Sequence, residues 1–421
     1  MPEILTENQI RCFLHYGYLP KPSLVDVQGV LDKCKISLNE QKSAEPIDAL
    51  VEKGAAILDR VFREVASSVG DETVAIPLSG GMDSRAILAG MLDYLPKEKI
   101  RTATFGVPGA LDYEIGPRVA TKAGVRNKPF NLDEVVWDES ELIGYAEKLH
   151  RPIPLVEGFL FRKALGLFER ESIIMSGFMG DPLSGARLPK RESRTWHDAC
   201  LQFADRNNYS MSQPACPPSG CLPPQLLQNS AALSLDDQLD FFVRQRTLIK
   251  PLVLPKGYRH ITPFLNPEWV EFMLALPRTL REGQVLYKKI LLHAYPDLFS
   301  LPLKNLLGLT LRASRPSIVL KKMLNKAHAK GRQYVSSIFS RPSSGLNYID
   351  FEKAYRSKPD LVSIADKSLR DLQRRRIVEH IDIASVWHEH IENRRDNARM
   401  ISLLVSLEVF LKSKERKRHA R

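Results

Sequence analysis

Long apolar runs are missing from this chain of 421 residues. The nearest approach, residues 400–411, contains Ser and Glu and is too short to span a bilayer, so no membrane span is expected. The first twenty residues, MPEILTENQIRCFLHYGYLP, have no basic segment leading into an apolar one. They do not read as a secretory leader, and a cytoplasmic protein is expected. Low-complexity tracts and repeats of solenoid period are also lacking, which argues against an array. Cysteine is scarce. The five (Cys12, Cys34, Cys200, Cys216 and Cys221) are odd in number and irregularly spaced, which is no disulfide framework, and reduced thiols are expected. His197, Cys200, Cys216 and Cys221 could supply four zinc ligands, but the stretch CPPSGC and the spacing fit no zinc module.

What is present is a 43% hydrophobic composition, enough for a sizeable core, and a net charge of +12. The last ten residues, KSKERKRHAR, hold six Lys/Arg against one Glu, and further basic residues cluster at 321–341 and at Arg370, Arg374, Arg375 and Arg376. Such clusters can form a phosphate-backbone footprint. A frayed, solvated helix end and ordinary polar helix faces account for them better, and nucleic acid is disfavoured as a partner.

Hydrophobic periodicity predicts a helix over 45–69, a buried strand over 73–78, a helix from Arg85 to Leu92 and a second strand over 100–105. Helices over 113–123, 139–150 and 158–170 precede a strand over 172–175. Strands alternating with helices of this length predict a doubly wound parallel sheet of the α/β class. Residues 205–235, rich in Pro, Ser and Asn, read as a long loop or lid. From 236 onward the pattern is helical, with turns marked by proline.

The strongest local signal is Leu78-Ser79-Gly80-Gly81-Met82-Asp83-Ser84 between the first predicted strand and the next helix. Two glycines let the backbone turn tightly and approach a ligand. Backbone N–H groups at a helix start, with the two serine hydroxyls, make an anion site. An aspartate inside such a loop repels phosphate unless a divalent cation lies between them, so Asp83 is a candidate Mg²⁺ ligand. No Gly-Lys-Ser/Thr follows, so this is not a Walker-type loop.

The segment resembles the SGGxDS loop of ATP pyrophosphatases, which cleave ATP between the α- and β-phosphates. Other stretches resemble the synthetase domain of the asparagine synthetase superfamily, in the family's order, from about residue 13 to 310. FLHYGYLP, ending at Pro20, is similar to the segment that joins glutaminase to synthetase. Thr104-Phe105-Gly106-Val107, with Asp112 and Glu114, is similar to the strand whose backbone reads adenine. Ser176-Gly177, with Gly180-Asp181, is similar to the second glycine–aspartate motif. Pro263-Phe264-Leu265-Asn266, then Leu274 to Pro277, then Lys288, Leu291 and Ala294, is similar to "PFLD…LP…KxxLRxA".

The resemblance implies a PP-loop fold like that of adenine nucleotide α-hydrolases, with a largely helical C-terminal half. It divides the chain into a linker-like segment 1–70, an ATP-binding domain 71–204, the lid 205–235 and a helical part 236–421. It further implies a carbon–nitrogen ligase that uses ATP and Mg²⁺ to activate a small-molecule carboxylate as its adenylate and transfers it to ammonia or an amine. A sugar uronate or a natural product is a fitting acid. Leu78, Ser79, Gly80, Gly81, Asp83, Ser84, Val107, Ser176 and Gly177 are then ATP- and pyrophosphate-binding positions. Asp83 and Asp181 are metal ligands, and Lys288 and Asp181 are catalytic, with the neighbouring Lys289 as the other register for the lysine. Departures bear on the substrate. Residue 2 is Pro2 rather than a catalytic cysteine, and about 70 residues precede the loop, so no glutaminase is expected within the chain, and ammonia could come free or from a separate one. Phe178, Leu292 and Asn266 replace the family's Glu, Arg and Asp, which weakens free aspartate as the acid. Two other readings stay open, a tRNA-modifying enzyme similar to lysidine synthetase and an inactive ATP-binding scaffold.

Overall fold

The computed structural model describes residues 4–20, 45–168, 172–210, 220–227, 233–314, 316–324 and 348–419. Its centre is a five-stranded sheet, every pairing parallel, in the order β3-β2-β1-β4-β5. The strands are β1 Val74–Pro77, β2 Ile100–Gly106, β3 Arg126–Asn131, β4 Ile173–Met175 and β5 Arg259–Ile261. The chain winds outward from β1 to β2 and β3, then returns to the other side of β1 as β4. That reversal between β1 and β4 opens a crevice at their carboxyl ends, where α/β sheets bind ligands.

Alternation along the strands explains why both faces are covered. Val74, Ile76, Ile173 and Met175 enter one apolar core with the helices Ile47–Val69 and Asp83–Leu92. Ala75 and Ile174 point the other way, onto Phe161 and Leu165 of the helix Leu155–Leu165. Close approach on the first face depends on missing side chains. A Cβ on Gly90 would overlap the Phe62 ring, and one on Gly54 would overlap the end of the Ile290 side chain and lie 3.0 Å from Phe272. The C-terminal helices form the second core. Ala398–His419 packs against Glu139–Glu147, Leu155–Leu165 and Pro359–Arg375. Among the described residues no helix is long and apolar enough to cross a membrane.

The predicted helices and the strands at β1, β2 and β4 are present, displaced by a few residues at their ends. Two strands went unpredicted. β3 reads RNKPFN and is largely exposed at a sheet edge, and β5 has three residues at the opposite edge. The expectation for cysteine is corrected. Cys12 is bonded to Cys221, their Cα atoms 5.8 Å apart, because the described end of the Pro-rich segment returns to the N-terminal helix Glu7–Tyr16. A separation of 209 residues left no spacing signal. The bond also removes Cys221 from the zinc group, whose Cys216, like residues 211–219 and 228–232 of the expected lid, lies outside the described residues. Cys200 is a free thiol, pushed up to about 11 by burial.

Candidate active site

The phosphate-type loop begins where β1 ends. Leu78 N–H donates to Ala103 O at 2.8 Å, extending the sheet by one residue, and its carbonyl accepts the Thr104 hydroxyl at 2.8 Å. The chain then turns into the helix Asp83–Leu92. Inside the turn the loop's donors are held locally. Ser79 N–H reaches Ser84 Oγ at 3.1 Å, Gly81 N–H reaches Ser79 Oγ at 3.2 Å, and Gly80 N–H reaches Asp112 Oδ1 at 3.0 Å. The other oxygen of Asp112 accepts Lys304 Nζ. One carboxylate thus takes the two kinds of donor, a loop amide and a lysine, that a phosphate oxygen would take.

The second glycine motif follows β4 and packs directly on Asp83. A Cβ on Gly177 would lie 2.9 Å from Asp83 Cβ, and one on Gly180 would lie 2.6 and 2.7 Å from its carboxylate oxygens. Those two positions must therefore be glycine for Asp83 and Asp181 to share one end of the crevice. Asp83 accepts the Tyr287 hydroxyl at 2.9 Å, and Asp181 accepts Gln284 Nε2 at 3.0 Å. Gln284 also holds Ser184 Oγ at 2.7 Å, and Arg281 donates to the carbonyls of Leu183 and Pro182 at 3.0 and 3.4 Å. Arg281 is anchored in turn by a buried bidentate pair with Asp237, at 2.8 and 3.0 Å.

By exposed area Asp83 and Asp181 are half-buried, because each faces a cavity, yet protein surrounds both closely. Burial pushes the carboxyl of Asp83 well above the usual range, and the nearby Asp181 pushes it further. Burial raises Asp181 as well, against the pull of Gln284, Arg187 and Lys304. Two carboxyl groups that resist ionisation side by side make a natural seat for a divalent cation, which would remove the cost of charging both. Among the described residues no cluster of three or more His, Cys, Asp or Glu is placed to hold a metal. Asp83 and Asp181 would hold a Mg²⁺, with phosphate oxygens and water supplying its remaining ligands, as Mg²⁺ sites commonly allow.

The cavity, of about 490 Å³, is lined by Ser79, Gly81, Asp83 and Ser84 on one side and by Ser176, Gly177 and Asp181 on the other. The expected residues Leu78 and Gly80 shape the loop from behind. Val107 is buried in the second core and Phe105 lines the cavity instead. Lys288 is outside the lining. Its Nζ donates to Gly283 O at 2.8 Å, while burial lowers its affinity for the proton and Asp181 raises it. Lys289 is exposed. The lysine that faces the cavity is Lys304, on a short turn after Pro302, with its N–H 2.9 Å from Gly80 O. No motif marked it in the sequence. A lysine two residues after a proline, beyond a helical run, looks like any surface turn.

Arg85 explains how that turn is fixed. It is fully buried in the loop helix and donates to the carbonyls of Leu298, Leu301 and Pro302 at 3.1, 3.2 and 2.6 Å. Burial lowers its pKa to about 10, and the guanidinium lies 5.6 Å from the Phe299 ring centre. Arg85→Leu strands three carbonyls and is expected to lower unfolding stability by about 2–4 kcal/mol. It should also weaken ATP binding by freeing the Lys304 turn. Urea denaturation and ATP titration check both, and unchanged ATP affinity in a folded variant would show that Arg85 does not position Lys304.

Comparison with protein-family models gives no match, and comparison with curated proteins gives none.

Proposed function

We propose that the protein is an ATP-dependent ligase that forms an amide and releases AMP and pyrophosphate. The observation that carries this is the meeting of a glycine–serine loop, two carboxyl groups that resist joint ionisation, and one lysine in a single crevice. A loop amide, two hydroxyls and Lys304 suit the leaving pyrophosphate, which would take over the donors that Asp112 now occupies. Mg²⁺ held by Asp83 and Asp181 would supply charge neutralisation at the phosphates. A carboxylate oxygen of the acid attacks the α-phosphorus and the bond to the bridging oxygen breaks. Ammonia or an amine then attacks the acyl carbon, and AMP leaves with the acyl oxygen. Lys304 stabilises charge in the first step, and Asp181 orients the metal or the attacking amine.

The test is product analysis. Protein, Mg²⁺, ATP and ammonium are incubated with aspartate, uronates or other acids, and the nucleotides are separated. AMP with pyrophosphate, dependent on one acid, supports the reading. ADP with phosphate overturns it.

One observation favours the RNA reading enough to keep it in view. Two adjoining cavities share His150 and Arg151 and are lined by Lys148, Lys256, Lys414 and Lys417, with no carboxylate among the described lining residues. Acid-independent AMP formation on tRNA, with steeply salt-dependent binding, would move the assignment there.

A further inference from the structure

The cavity continues past Asp181 to a second polar end made by Arg187, Arg244 and Gln245. Arg187 ends the turn that starts at Asp181, where Ala186 N–H donates to Asp181 O at 3.0 Å. Arg244 and Gln245 come from the opposite wall, a π-helical segment Leu239–Ile249. The wider spacing of a π-helix appears most often beside functional sites.

Arginine is concentrated at this end. Arg187, Arg206 and Arg244 gather around Asp240: burial and then Arg187 lower the proton affinity of both Arg206 and Arg244, with Asp240 opposing. Asp240 is itself shared. Its Oδ2 accepts Gln245 at 3.2 Å, and its Oδ1 lies 3.7 Å from Arg187 Nε, too far for a hydrogen bond. Arg187 Nε is buried with no hydrogen-bond partner among the described residues. The neighbouring acids are committed elsewhere. Asp237 pairs with Arg281, and Asp236 takes Ser193 N–H at 3.1 Å and Ser193 Oγ at 2.7 Å, with Arg278 at 3.9 Å. Arg187 also feels Asp181, and its Nη2 donates to Asn207 Oδ1 at 3.2 Å, but its buried Nε and the largely enclosed Arg244 share Asp240 with no closer carboxylate, which favours an oxyanion as a further partner.

We propose that Arg187, Arg244 and Gln245 form an anion subsite for the acyl substrate. The acid to be activated carries a second anionic group, a carboxylate, sulfate or phosphate, held at this end while its reacting carboxylate lies toward Asp181 and Lys304. Planar guanidinium forks suit such oxyanions, and the amide of Gln245 adds a neutral donor. This rests on the ligase reading for which end reacts, whereas the anion subsite itself does not. The same chemistry could serve the phosphates of ATP, and the test separates the two sources.

Binding is measured by calorimetry for wild type, Arg244→Gln, Arg244→Lys and Arg187→Gln, each first shown to melt cooperatively. The probes are ATP, pyrophosphate and acids matched with and without a second anionic group, glutarate against glutaramate and galacturonate 1-phosphate against galacturonate. Wild type should prefer the member with the second anionic group in at least one pair by about 30-fold or more. Arg244→Gln should erase that preference, Arg244→Lys should retain part of it, and ATP affinity should change less than about threefold. Loss of ATP or pyrophosphate binding in step with the acid would reassign the arginines to the nucleotide and overturn the proposal, as would wild type with no charge preference. AMP formation is followed in parallel. Charge-dependent binding that needs Arg244, without AMP from any acid, would sink the ligase reading and leave the subsite standing.

Discussion

Lys304→Ala is expected to reduce AMP-forming turnover by about 10²–10³-fold, and Lys288→Ala by less than about tenfold. The difference follows from where each ammonium is spent. Lys304 faces the cavity and shares Asp112 with the loop amide of Gly80, so exchange of that carboxylate for a phosphate oxygen puts its charge on the leaving group. Lys288 is tied to the carbonyl of Gly283 outside the lining and reaches the site only through the field it exerts on Asp181. Turnover measured at saturating ATP and acid, with the KM of each, separates the two. A loss confined to KM in Lys304→Ala would mean it binds ATP without stabilising the reacting phosphate. Equal losses in both variants would require Lys288 to swing into the cavity and would reverse the assignment.

The phosphate-type loop was readable because its chemistry is local. Ser79, Gly80, Gly81, Asp83 and Ser84 are contiguous, and strand, turn and helix follow from the same few residues. Asp181 came from the resemblance of its glycine–aspartate motif, and it lines the same cavity as Asp83, for which Gly177 and Gly180 leave room. The rest of the site was not readable, because its residues are held by tertiary contacts. Lys304 reaches the loop through its own bonds to Gly80 and Asp112 and beside carbonyls that Arg85 holds more than two hundred residues further along the chain. Arg187 and Arg244 look like ordinary arginines on polar stretches until the sheet brings their segments together. The same limit hid β3. Its residues Arg126, Asn127 and Lys128 suit an exposed edge, where alternation of apolar side chains is not required, so periodicity said nothing.

Asp83→Asn is expected to abolish AMP formation, by about 10³-fold or more, while making the protein without ligands more resistant to unfolding at alkaline pH. Asp83 and Asp181 both hold their protons more tightly folded than unfolded, through burial and, for Asp83, the neighbouring carboxyl. In the window from the ordinary carboxylate range up to those raised values, the native state binds more protons than the unfolded one. Stability therefore falls as pH rises through that window. Asparagine removes one of the two charges and keeps an oxygen for the Tyr287 hydroxyl, so the slope should flatten. Thermal melts at pH 5 and pH 8, each with and without Mg²⁺ and pyrophosphate, read the effect directly. Wild type should lose more stability than the variant between the two pH values, and Mg²⁺ with pyrophosphate should restore it at pH 8 in wild type alone. If both proteins show the same pH slope and the same response to Mg²⁺, the two carboxyl groups are neither coupled nor a metal seat. The loop would then have to bind phosphate through Lys304 and its amides without a cation between them.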